Sequence, residues 1–75
     1  MLQKKKESWS IYTTTDEENN FITSVVKVYD TQLALNLSVG GVVQIKDNRN
    51  QVIGMYHNLF DSREDAEEAL RLNGF

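Results

Sequence analysis

The sequence predicts an α+β domain: a four-stranded antiparallel sheet with two helices on one face, in a tandem ββα-ββα arrangement. Three observations carry this expectation. They are a hairpin pattern over residues 42–56, a helix after it with both start and stop signals, and an echo of that helix earlier in the chain. Val42-Val43-Gln44-Ile45-Lys46 is a β-branched run, Asp47-Asn48-Arg49-Asn50 is a cluster of turn formers, and Gln51-Val52-Ile53-Gly54-Met55-Tyr56 resumes an apolar run. That sequence of signals predicts a β-hairpin.

Ser62 is the predicted N-cap of the helix that follows, its hydroxyl accepting from the Asp65 N–H while the Asp65 carboxylate reaches back. Glu64 and Asp65 fall in the first turn and Arg71 in the last, each on the side the helix dipole favours. Gly74 can take the left-handed conformation that ends a helix, which would fold Phe75 back on Leu70. Ala66, Ala69 and Leu70 form the apolar stripe, and two alanines in it imply a close approach to the strands beneath.

Upstream, Ser8 to Thr14 alternates, with Trp9 and Ile11 on one face and Ser8, Ser10 and Tyr12 on the other, which is strand periodicity. Residues 15–20 read as an acidic turn and Phe21 to Val28 as a second strand, giving another hairpin. Thr31 to Gly41 carries competing signals. Leu33, Leu35, Leu37 and Val39 alternate as in a strand, yet Asp30 is a good N-cap and Gly40-Gly41 a good helix stop. Tyr29-Asp30-Thr31 echoes Phe60-Asp61-Ser62, and Ala34 to Gly40 echoes Ala69 to Gly74, so a helix is expected here too. The chain divides into a flexible basic tail at residues 1–7 and a single domain at residues 8–75, with sub-units at 8–40 and 42–75.

At 75 residues the chain buries only about 60–65% of the surface its unfolded form exposes, so little core is to spare. There is no cysteine for a disulfide, a nucleophilic thiolate or a thiolate ligand. No apolar run approaches the roughly 18 residues that cross a bilayer, and Lys4-Lys5-Lys6 follows Met1 without the apolar stretch of a signal peptide. The expectation is a soluble cytoplasmic protein with no membrane partner. A net charge of −3 argues against a general nucleic-acid binder.

The sole histidine, His57, lies between Tyr56 and Asn58, which supply neither a carboxylate nor an activated nucleophile. With one histidine and no cysteine, no metal or cofactor site is expected, and no catalytic residue is assigned. Two binding readings remain. In the first, an open sheet face carrying Tyr12, Tyr29, Met55 and Tyr56 binds protein, and the chain is a small non-enzymatic adaptor or modulator of bacterial or phage-like type that forms a homodimer. In the second, Lys4, Lys5 and Lys6 neutralise phosphates while Trp9 and Tyr12 stack single-stranded bases.

Overall fold

The computed structural model describes residues 7–73. The elements are β1 (Trp9–Thr15), β2 (Phe21–Lys27), α1 (Thr31–Gly40), β3 (Val42–Lys46), β4 (Val52–Phe60) and α2 (Arg63–Asn73). All four strands form one sheet in the order β2-β1-β4-β3, and each neighbouring pair is antiparallel. The expected α+β class and ββα-ββα element order are both present.

Both hairpins close by the same device. Asp16 Oδ1 accepts from the backbone N–H groups of Glu18 at 2.8 Å and Asn20 at 2.9 Å, and Asp47 Oδ1 accepts from Arg49 at 2.8 Å and Gln51 at 3.0 Å. The fourth turn residue is in each case an asparagine with positive φ, 66° at Asn19 and 64° at Asn50. An aspartate that caps its own turn and an asparagine that tolerates the left-handed region explain both reversals.

In α1 the capping chemistry prevails over the alternating leucines. The Asp30 carboxylate accepts from the N–H groups of Gln32 at 2.8 Å and Leu33 at 3.1 Å, and Gly41, at φ 80°, donates to the Leu37 carbonyl at 2.8 Å. In α2, Ser62 Oγ accepts from the Asp65 N–H at 3.1 Å, as its cap position predicts. The expected stop at Gly74 and the return of Phe75 lie outside the described residues.

Strand β4 runs to Phe60, longer than the apolar pattern that ends at Tyr56, so His57 sits within the strand opposite Ile11 and Val42 rather than at its end. The extra length is accommodated by a bulge. Trp9 pairs with Phe60 but Ile11 with His57, and Asn58 takes up the surplus residue at φ 62°. Ser10 Oγ locks this bulge by donating to the carbonyl oxygens of Asn58 at 2.7 Å and His57 at 3.1 Å.

The core centres on Ile11, Ala66 and Leu37, with Val28 at its margin. Helix α1 lies against β3 and β4, and α2 lies against β1, β2 and β4, without close approach of one helix to the other. Ser10 and Ile11 point to opposite faces of β1 and are both fully shielded, so the first half of this strand is covered on both sides.

Candidate protein-binding surface

Burial is graded along the sheet. At the end where both helices attach, Ile11 and Val28 are shielded, whereas at the turn end Phe21 is 81% exposed and Ile22, Val52 and Ile53 are each about half exposed. Apolar residues adjoin the polar turns here, with Phe21 directly after Asn20 and Val52 directly after Gln51. Phe21, Val52, Ile53 and Met55, together with Thr13 and His57, line an open groove of about 250 Å³. Nearby hydroxyls are engaged locally: Thr14 Oγ1 donates to the Ile53 carbonyl at 2.7 Å, and the Thr13 and Thr23 hydroxyls lie 3.4 Å apart. The groove is suited to accept apolar side chains, because its walls are mostly apolar and the Thr13 and Thr14 hydroxyls in it already have partners.

The residues that the sequence put on one binding face are dispersed. Tyr12 and Tyr56 are brought together as cross-strand partners with ring centroids 4.6 Å apart and planes 46° apart, and both are half-buried. Met55 pairs with Thr13 on the opposite face, in the groove wall. Tyr29, 83% exposed, lies beyond the end of β2. Sequence reasoning left out Phe21, Val52 and Ile53, whose signal was their place beside the turns, at the opposite end of the sheet from both helix attachments.

Of the residues of the nucleic-acid alternative, Trp9 and Tyr12 fall among the described ones. Trp9 and Tyr12 point to opposite faces of β1, as their spacing implied, and Lys4, Lys5 and Lys6 lie outside the described residues. The lysine beside Trp9 is Lys27, its ammonium 5.8 Å from the Trp9 ring centroid and 5.5 Å from that of Tyr29. It donates to Glu7 Oε1 at 2.9 Å, a bond that holds its pKa above the ordinary lysine value. Trp9 Nε1 is shielded and meets no acceptor among the described residues.

Among the described residues no three His, Cys, Asp or Glu side chains gather in a metal-binding arrangement, and no helix is long and apolar enough to cross a membrane. Comparison with known protein families, curated proteins and solved structures finds no match.

Proposed function

We propose that this chain is a small non-enzymatic adaptor or modulator that works by binding protein, and that its contact surface is the turn end of the sheet around Phe21, Val52 and Ile53. The observation that carries the reading is that apolar cluster, exposed beside a 250 Å³ apolar groove in a chain with little core to spare. Covering Phe21 contributes about 1.5–3 kcal/mol, and each half-exposed aliphatic neighbour about half as much. After the cost of association, that is the scale of a transient complex rather than an obligate one.

The same reading includes self-association, with a homodimer as its first product, and a cytoplasmic setting of the kind occupied by bacterial or phage accessory proteins. The cysteine-free composition fits a reducing compartment.

The test is capture of proteins by the immobilised chain, in parallel with a Phe21→Ser/Ile53→Ser variant and with Val39→Ser, a change at an equally exposed residue on α1. A protein held by wild type and Val39→Ser but lost with the double variant, then confirmed by titration of the purified pair, supports the reading. Identical capture by all three, or none, overturns it.

A further inference from the structure

Sheets assembled from side-by-side hairpins have a direction. The order β2-β1-β4-β3 sets the two hairpins in the same sense, so the central junction joins a first strand, β1, to a second strand, β4, through Ile11↔His57 and Thr13↔Met55. The outer edges are one of each kind, β3 a first strand and β2 a second. We infer that the chain binds a second copy of itself head-to-tail, the β3 edge of one copy pairing antiparallel with the β2 edge of the next and so repeating the β1–β4 junction between molecules. This rests on the protein-binding reading and gives it a partner.

The backbone supplies the register. In an antiparallel ladder, residues whose N–H and C=O face the neighbour alternate with residues whose groups face away. The Val28 N–H donates to the Ser8 carbonyl at 2.8 Å, which turns the backbone groups of Phe21, Thr23, Val25 and Lys27 away from β1. The Asn58 N–H donates to the Gly41 carbonyl at 2.6 Å, which likewise turns those of Val42, Gln44 and Lys46 away from β4. Pairing Val42 with Val25, Gln44 with Thr23 and Lys46 with Phe21 matches the outward groups. It also keeps partners on a common face, since Val42 and Gln44 share one with His57 and Met55, and through Ile11 and Thr13 with Val25 and Thr23.

Side chains and charge agree with this register. Val42 meets Val25 and Ile45 meets Ile22, β-branched cross-strand pairs that cover two half-exposed residues, and the Lys46 ammonium comes beside the exposed Phe21 ring. The shared sense sets the acidic β1–β2 turn of one copy, with Glu17 and Glu18, against the β3–β4 turn of its neighbour, with Lys46 and Arg49. Asp16 and Asp47 are engaged within their own turns. A two-fold β2–β2 contact would give no such match of charges. Neither edge contains proline, a common guard of free strands. The contact is heterologous, so two joined copies leave one β2 and one β3 edge open and association continues with concentration.

The chain has no cysteine, so Thr23→Cys on β2 and Gln44→Cys on β3 each introduce a single thiol. Under mild oxidation, a mixture of the two should form mixed disulfides in excess over self-linked ones, and the double variant should give a ladder at multiples of 8.6 kDa. Wild type should show a light-scattering mass that rises with concentration past twice 8.6 kDa. Lys46→Glu/Arg49→Glu should lose that association and recover it when mixed with Glu17→Lys/Glu18→Lys, a readout indifferent to cysteine effects on folding. Thr23→Cys linking to itself as fast as to Gln44→Cys would overturn the inference in favour of a two-fold contact. A wild-type mass fixed at 8.6 kDa with no excess cross-linking would also overturn it. If capture through Phe21 and Ile53 persists in that case, the protein-binding reading stands without this partner.

Discussion

The phenol of Tyr12 lies across Gly54 and occupies the space a side chain there would need: a β-carbon on Gly54 would collide with the Tyr12 hydroxyl and ring. Gly54 faces Thr14 across the β1–β4 junction, two residues along from the tilted Tyr12–Tyr56 ring pair and on the same face. A glycine in mid-strand forfeits packing, and an aromatic laid over it restores that packing. Gly54→Ala should therefore destabilise the fold by about 1–3 kcal/mol through overpacking, unusual for so small a change. In a domain of this size that lowers Tm by about 4–8 °C per kcal/mol. Tyr12→Ala/Gly54→Ala should be less destabilised than the two single losses added together, and a double-mutant cycle from denaturant melts that showed strict additivity would refute the contact.

Ser10 offers a second test, at the bulge. Its hydroxyl is shared between the His57 and Asn58 carbonyls in a fully shielded position. Ser10→Ala leaves both oxygens without that donor and should cost about 1–3 kcal/mol, whereas Asn58→Gly should be tolerated because glycine accepts positive φ without strain. Urea titrations of the two variants decide the point, and equal stability of Ser10→Ala and wild type would dismiss the lock.

Much of this fold was legible because local chemistry and global packing agree. Asp30, Gly41 and Ser62 cap the helices that their positions predict, and the Asp30 cap decided between helix and strand for residues 31–40. The repeat was also present in a form stronger than the helix echo. Asp16 to Asp47, Asn19 to Asn50 and Asp30 to Asp61 are each a step of 31 residues, and the first two steps connect structurally equivalent turns. The extent of β4 was not legible, since Asn58 interrupts the apolar pattern and only the Ser10 bonds and the bulge explain how the strand passes through it. Nor was the binding surface. Strand alternation places Tyr12 and Tyr56 on one face, but nothing local to the sequence says that their rings meet while Phe21 and Ile53 stay uncovered.

The acid limb of stability should depend on Asp16. The Asn20 backbone N–H, helped by that of Glu18, holds its carboxyl below the ordinary aspartate value against a smaller opposing effect of desolvation. A folded-state pKa below the unfolded one adds stability that is present above the unfolded value, about 3.9, and lost as pH falls through the folded one. Asp16→Ala should therefore lower Tm at pH 7 but converge on wild type in strong acid. A Tm difference that stays constant from pH 7 to pH 2 would remove Asp16 from this role.

Lys27 should act on the alkaline limb with the opposite sign. The Glu7 hydrogen bond raises its pKa, so its contribution is complete below the unfolded lysine value, about 10.4, and fades as pH rises through the folded one. The pair is well exposed, with side-chain exposures of 33% and 57%, so Glu7→Gln should change Tm only slightly at neutral pH and the difference should vanish under alkaline conditions. A difference that grew with pH would contradict the pairing.

The sharpest test of the core is Leu37. It is 2% exposed and is the one fully buried side chain of α1, whose Leu35 and Val39 face solvent. A helix of ten residues has little stability of its own, so its attachment depends on that anchor. Leu37→Ala should cost about 2–5 kcal/mol, a large part of the roughly 4–11 kcal/mol expected for a domain of this length. Leu35→Ala and Val39→Ala should fall within about 0.5 kcal/mol of wild type. Hydrogen exchange should show α1 losing protection before the β1–β4 strands in Leu37→Ala, because the sheet keeps Ile11 and α2 keeps Ala66. Simultaneous loss of protection in α1 and the sheet would mean that α1 is integral to a single cooperative unit rather than an element fastened to the sheet by one side chain.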